Sequence, residues 1–248
     1  MSVFDFHVRL APRPGAAERL LSTMDECRID RAAVAAGGTI DLRRLSRQLV
    51  DGGHVETDAD NETVLAAATA SGGRLVPFWF ANPHRPTTEY AERGTRFRGV
   101  EISPAVHGVP LTDPRIDELV AVADQLGHPV YIVCITRPGC EVADLVALAR
   151  RHPRVRFVLG HSGIGNIDYY AIDLVKPIPN IWFETSGGYS GVLRDAIDTL
   201  GAARVLFGSE FPLQHPEVEL AKYRAAGVSA ADWKLIAWEN AIHLLETP

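Results

Sequence analysis

Clustered features are what this sequence lacks. Its 25 lysines and arginines are scattered, and its net charge is −6. No basic stripe exists to hold a phosphate backbone or an anionic bilayer, so nucleic acid and membrane are not expected partners. No run approaches the roughly 18 apolar residues that cross a bilayer. The first residues enter an apolar run at once, without the basic and apolar stretches of a secretory leader. Three cysteines, Cys27, Cys134 and Cys140, form no Cys-x-x-Cys pair, which excludes a zinc ribbon. Such sparse cysteine fits a reducing compartment, so a cytoplasmic protein is expected. Internal repeats and low-complexity linkers are absent too. His7–Arg13 contains no glycine, which argues against the phosphate loop of an open doubly wound sheet.

What is present is alternation. Apolar runs at Val3–Val8, Ala32–Ala36, Leu75–Phe80, Gly99–Ile102, Val130–Cys134, Val155–Gly160, Asn180–Phe183 and Val205–Gly208 read as strands buried on both faces. Helical patterns lie between them. Asp113-Pro114 opens one that ends at Gly127. Cys140–Arg150, Val192–Leu200 and Asp232–Leu245 are similar, and Thr87–Arg93 is weak. Eight strand–helix units predict an α/β fold, a (β/α)8 TIM barrel forming one domain over residues 1–248. The longest insertion, Gly37–Asp58, is a candidate lid. Leu42, Leu45 and Leu49 share a face of a short helix within it.

A barrel carries its chemistry at the C-terminal strand ends. Of nine histidines, His7, His54, His84, His107, His161 and His215 fall on that side. His128 and His152 precede strands, and His243 lies in the last helix. His161 ends a strand and is followed by Ser162-Gly163, which leaves it accessible; it is the leading candidate for general acid/base. His7 and Glu210 are the other catalytic candidates. Arg9 shares the face of His7 and offers a planar fork to a carboxylate or oxyanion. Glu101 lies in an otherwise apolar strand, where a carboxylate needs a partner. Arg9, Glu101, His107 and His215 are the candidate substrate-binding residues. Cys134 reads as a small buried hydrophobe, although Arg137 nearby is a potential influence on its thiol. Trp79 and Tyr189 are candidates for a pocket lining.

Seven segments in order resemble one family over nearly the whole chain: Phe4-Asp5-Phe6-His7, Met24–Ala32, Val109–Arg115, His128–Ile132, Leu159–Gly163, Phe207–Pro212 and Glu239-Asn240-Ala241. The chain resembles the amidohydrolase-related family, in the branch that holds aminocarboxymuconate-semialdehyde decarboxylase. The resemblance implies a TIM barrel with one metal, commonly zinc. It implies ligands from a His-x-His pair, a histidine ending strand five and a strand-eight aspartate, with a strand-six histidine as acid or base. Here His7 keeps the first position and His161 the acid/base. Arg9 replaces the second histidine, Val133 the strand-five ligand, and Glu210 the aspartate. Arginine does not release its proton to become a ligand, so no inherited metal site and no cofactor are expected. The expected function is a hydrolase or decarboxylase/lyase for a carboxylate-bearing small molecule. One alternative keeps a divalent metal, zinc, on His7, His161 and Glu210, with Glu101 as an optional fourth ligand. Another is a binding barrel without catalysis. A homodimer is left open.

Overall fold

The computed structural model describes residues 1–246. Nine short strands follow one another: β1 (Phe4–Leu10), β2 (Arg31–Ala36), β3 (Leu75–Pro77), β4 (Trp79–Phe80), β5 (Val100–Ile102), β6 (Val130–Ile132), β7 (Phe157–Leu159), β8 (Ile181–Glu184) and β9 (Val205–Leu206). Every neighbouring pair is parallel and in chain order, as β1-β2-β3 and β4-β5-β6-β7-β8-β9. The two ladders join through one stave. β3 pairs with β2 and β4 with β5, and between them the Phe78 N–H reaches the Val34 carbonyl at 2.8 Å. Pro77 has no N–H to donate, which accounts for the broken ladder at this point. On the other side β1 meets the chain after β9. Phe6 N–H donates to Phe207 O at 2.8 Å, Glu210 N–H to His7 O at 2.9 Å and Arg9 N–H to Phe211 O at 2.7 Å. The result is a closed eight-stave (β/α)8 barrel, as the sequence predicts.

The staves form where predicted because they carry buried β-branched and aromatic residues on both faces. Their ladders are shorter than the apolar runs. Gly99 stands just before its strand, at the end opposite the mouth, and Cys134, Gly160 and Gly208 stand just after theirs, on the mouth side. Pro114–Leu126 is capped as expected: Asp113 accepts from Arg115 N–H, and Gly127 ends the helix at φ 68°. The weak third helix is real but short, Thr88–Arg93, and closes in a 3-10 turn. The closing helix holds a wide turn at Leu235–Glu239. No helix of the described residues is long and apolar enough to cross a membrane.

The insertion does form a helix, Leu42–Asp51, in which Leu45 packs half-buried against the core. Leu42 and Leu49 are exposed, and Gln48 is buried. The Gln48 amide donates to the carbonyls of Ala105 and Val106 at 2.6 and 3.0 Å. Arg137 adds bonds to Gln48 O and Gly53 O. Buried carbonyls with accepting capacity to spare hold a donor more strongly than leucines seek a shallow surface, so polar docking sets the helix rotation.

Candidate functional site

Five of the predicted residues converge at the barrel mouth. β1 supplies His7 and Arg9, and its register slips between Asp5 and Val8, next to His7. β5 supplies Glu101, the turn after β7 supplies His161, and the turn after β9 supplies Glu210. Arg9 bridges the two carboxylates: Nε donates to Glu210 Oε1 at 2.8 Å and Nη2 to Glu101 Oε1 at 2.7 Å. His7 Nε2 donates to Glu101 Oε2 at 3.2 Å. His7 Nδ1 stands 2.6 Å from Glu210 Oε2, and His161 Nε2 stands 3.2 Å from the same oxygen. Glu210 Oε2 therefore lies between two imidazoles. Its contact with His7 is an ion pair without an aligned hydrogen bond, so both buried atoms lack a hydrogen-bond partner. Phe80 lies under the Arg9 guanidinium at 5.6 Å.

A second set of residues supports His161, and the sequence reading missed it. Glu184, at the end of β8, is fully buried. Its Oε2 accepts from Tyr131 OH at 2.7 Å, His161 N–H at 3.0 Å and Ser186 Oγ at 2.9 Å. Its Oε1 accepts from Ser186 N–H at 2.6 Å. Ser186 Oγ is 3.0 Å from His161 Nδ1. Since that hydroxyl gives its hydrogen to Glu184, it accepts from His161, and Nδ1 carries the imidazole proton. Nε2 is left with a lone pair facing the mouth. Tyr131 also stacks on His7, with ring centroids 4.2 Å apart. A signal existed: Glu184 is a carboxylate closing an apolar run, like Glu101.

Glycines make room for this support. A Cβ on Gly160 would stand 2.3 Å from the Tyr131 hydroxyl, and one on Gly208 would stand 2.3 Å from Glu184 Oε1. Three non-glycine residues take positive φ here: His161 and Ser162 at 57° and Glu210 at 61°. Such backbone costs on the order of 1–3 kcal/mol per residue and collects at functional sites. The bond from His161 N–H to Glu184 and that from Glu210 N–H to His7 O hold two of them.

Electrostatics separate the two histidines. Burial disfavours the charged form of His7, but Glu210 and Glu101 outweigh it and raise its pKa to about 10. Burial keeps His161 below its ordinary value despite the pull of Glu210. Burial pushes Glu210 and Glu101 up, yet their neighbours hold both down: His161, then Arg9 and His7, act on Glu210, and Arg9 and His7 act on Glu101. His7 is then an imidazolium at neutral pH and His161 a free base. Below them, burial lifts the Asp5 carboxyl to about 7, although Ser209 bonds to it. His161, Arg9 and Glu210 reach the surface, with side chains 24, 19 and 12% exposed, whereas His7 and Glu101 are covered.

Other expected residues lie elsewhere. His107 is buried with Nδ1 on the Val55 carbonyl at 2.9 Å, and burial lowers its pKa. It anchors the 37–58 segment behind Phe80 instead of facing a substrate. His215 caps the helix Pro216–Ala225, where Nδ1 accepts from Glu217 N–H at 3.3 Å. Its ring nitrogen is turned to this local N–H, and the residue is exposed. Cys134 is buried with its thiol pushed well up, and Arg137 is engaged with Gln48 and Gly53 instead. Tyr189 is exposed. Trp79 lines a cavity of about 250 Å³ with Asp58, Glu62, Arg85 and Tyr90, and none of the five mouth residues borders it.

The donor set bears on the metal implied by resemblance. His7 Nδ1, His161 Nε2 and Glu210 Oε2 lie within 4.8 Å of one another. The four-ligand set does not fit, because Arg9 and Val133 stand at two of its positions. The 2.6 Å between His7 and Glu210 is also shorter than the roughly 3.3 Å edge set by tetrahedral ligands at about 2.0–2.1 Å from zinc.

Comparison with known proteins follows this geometry. Over 116 residues the chain is 28% identical to gamma-resorcylate decarboxylase of Polaromonas sp. strain JS666, a match spanning 39% of this chain and 36% of that relative. The crystal structure of 5-carboxyvanillate decarboxylase from Sphingomonas paucimobilis superposes with a TM-score of 0.75 at 16% identity, covering 100% of this chain and 99% of that one. A probable 2-pyrone-4,6-dicarboxylic acid hydrolase from Acinetobacter baumannii, crystallised with citric acid, gives 0.74 at 15% with both chains fully covered. A dihydroxybenzoic acid decarboxylase from Polaromonas sp. JS666, with bound manganese and the inhibitor 2-nitroresorcinol, gives 0.71 at 17%, covering 99% and 97%. The amidohydrolase family profile matches residues 4–247. The chain belongs to the amidohydrolase family.

Proposed function

We propose that this barrel hydrolyses or decarboxylates a small, carboxylate-bearing aromatic substrate, with His161 as general acid/base and without the inherited metal site. The observation that carries this reading is the position of Glu210 Oε2 between a charged His7 and a neutral His161, at 2.6 and 3.2 Å. Environments that push two groups apart assign one as acid and the other as base. Arg9 and the His7 imidazolium together balance Glu101 and Glu210, so these four groups cancel in charge. The relatives' names supply the aromatic carboxylates.

In hydrolysis, His161 Nε2 takes a proton from the attacking water. Ser186 and Glu184 hold the imidazolium that forms. Arg9 engages only Nε and Nη2 with the carboxylates, and its remaining N–H groups face the anion that develops on the substrate. In decarboxylation the proton moves the other way. The His7 imidazolium passes a proton through Glu210 to His161 Nε2, which delivers it to the ring carbon that bears the carboxylate. The ring–carboxylate bond then breaks, its electron pair restores the ring, and carbon dioxide departs. Glu210 links His161 to the proton on His7.

A second reading is favoured by one observation: His7 Nδ1 and Glu210 Oε2 lack hydrogen-bond partners and lie with His161 Nε2 as three ligand atoms. A divalent ion in place of the His7 proton would use them. Two measurements decide. Turnover of hydroxybenzoates and aromatic lactones is expected to survive chelation and to fall about 10²–10⁴-fold in His161→Ala. About one equivalent of manganese or zinc per chain, lost in Glu210→Gln, would overturn the metal-free reading. An unchanged rate in His161→Ala would overturn its assignment as acid/base.

A further inference from the structure

Outside the mouth, two histidines and a glutamate meet where the 37–58 segment touches the loop after β4. His54 Nε2 is 3.6 Å from Glu56 Oε1, and His84 Nδ1 is 3.9 Å from the same oxygen. All three ligand atoms lie within 4.8 Å of one another. The imidazoles of His54 and His84 stack, with centroids 5.2 Å apart and planes 17° from parallel. We propose that His54, Glu56 and His84 form a zinc site that clasps the 37–58 segment to the barrel.

The tautomer of His84 argues for a ligand. Its Nε2 is 2.9 Å from the His107 carbonyl, which only accepts, so Nε2 carries the proton. Nδ1 therefore presents a bare lone pair toward Glu56. A histidine whose second nitrogen donates to a backbone carbonyl is the usual arrangement around a bound metal. The acceptor is itself fixed, because His107 bonds to Val55.

The carboxylate is prepared in the same way. The Glu56 carbonyl accepts from Asn82 Nδ2 at 3.0 Å and Arg85 Nη2 at 2.9 Å, which fixes its backbone. The neighbouring guanidiniums are occupied: Arg85 grips Asp58 and Arg115 grips Asp113. The Glu56 carboxylate faces the two imidazoles instead. Gly108, at φ 67°, gives His54 its place, since a Cβ there would stand 2.7 Å from His54 Cβ.

Two imidazoles and a carboxylate suit zinc, whereas magnesium and calcium prefer all-oxygen shells. The two separations from Glu56, 3.6 and 3.9 Å, exceed the roughly 3.3 Å edge of a tetrahedral site by about 0.3 and 0.6 Å. His54 and Glu56 are exposed enough to close that gap. Three protein ligands leave a fourth position to water. The site shares no residue with the mouth, so it stands or falls independently of the proposed reaction.

The test is calorimetric titration of the chelator-stripped full chain with zinc chloride. Wild type, His54→Ala, Glu56→Ala and the mouth pair His161→Ala/Glu210→Gln are compared, with cobalt absorption as a second probe. About one equivalent is expected in wild type and in the mouth pair. Affinity is expected to fall more than about tenfold in His54→Ala and in Glu56→Ala. Zinc should also slow amide exchange in residues 53–57 of wild type. Both single substitutions are at exposed side chains, and circular dichroism verifies that they fold. Absence of binding in wild type, binding that survives both single substitutions, or binding lost only in the mouth pair would overturn the proposal.

Discussion

Replacing Arg9 by methionine removes the one guanidinium that bridges Glu101 and Glu210, and its cost follows from burial. Glu101 is fully covered and Glu210 nearly so, so water cannot replace the lost donors. Breaking a buried ion pair from one side costs about 3–5 kcal/mol. With a urea m-value of about 3 kcal/mol/M, the unfolding midpoint should fall by about 1–2 M at pH 7.5. The pH dependence identifies the cause. In wild type both carboxylates have depressed pKa values, so their contribution is present above the unfolded value and lost as pH falls through the folded one. In Arg9→Met they lose a main cation and titrate higher, and burial adds to the rise. At pH 5 a stranded carboxyl takes up a proton, and the difference from wild type should shrink by at least about 1 kcal/mol. Urea denaturation of both proteins at pH 7.5 and 5 supplies the comparison. A loss below about 1 kcal/mol at pH 7.5, or the same loss at both pH values, would refute the argument. Arg9→Lys should fall between the two proteins, since it keeps the charge and loses the fork.

Further outcomes follow from the same geometry. The raised pKa of His7 gives stability that is full below about pH 6.5 and lost as pH rises toward 10, so wild type should lose more stability than His7→Gln over that range; parallel curves in urea would contradict this. Ser186→Ala should free the His161 tautomer, seen by nitrogen NMR as loss of the Nδ1–H form, while an unaltered spectrum would remove Ser186 from the support. Gln48→Ala should speed amide exchange across Leu42–Asp51, because the helix loses its bonds to the Ala105 and Val106 carbonyls. In the folded protein, Cys27 should react with a thiol reagent before the buried Cys134, and the reverse order would contradict the assigned burial.

The fold was legible because strands buried on both faces leave unbroken apolar runs, and helix stops such as Gly127 are local. The convergence of His7, Arg9, Glu101, His161 and Glu210 was legible too, since all lie at or near strand ends on one side. Partner choice was not. His107 and His215 share that side, but a nearby carbonyl captured the first and a helix N–H the second. Nothing in their neighbouring residues reveals which acceptor or donor the fold will bring within 3.5 Å. Glu184 and Tyr131 escaped because each sits in an apolar run that reads as core, and their bond spans two staves. The docking of Leu42–Asp51 was not legible for a related reason: the carbonyls that claim Gln48 belong to a turn far along the chain.

The glycines beneath Tyr131 and Glu184 have a consequence for how this interior can change. Each large side chain occupies volume vacated by a glycine on a neighbouring stave, so the two positions behave as one unit of space. Gly160 cannot enlarge while Tyr131 keeps its ring, and Gly208 cannot enlarge while Glu184 keeps its carboxylate in place. Single enlargements should destabilise the fold through overpacking. Joined to a reduction across the stave, the same enlargement should be tolerated, giving strongly non-additive double-mutant cycles. Sequences on this scaffold are therefore expected to move between site architectures by paired exchange, in which bulk passes from one stave to its neighbour.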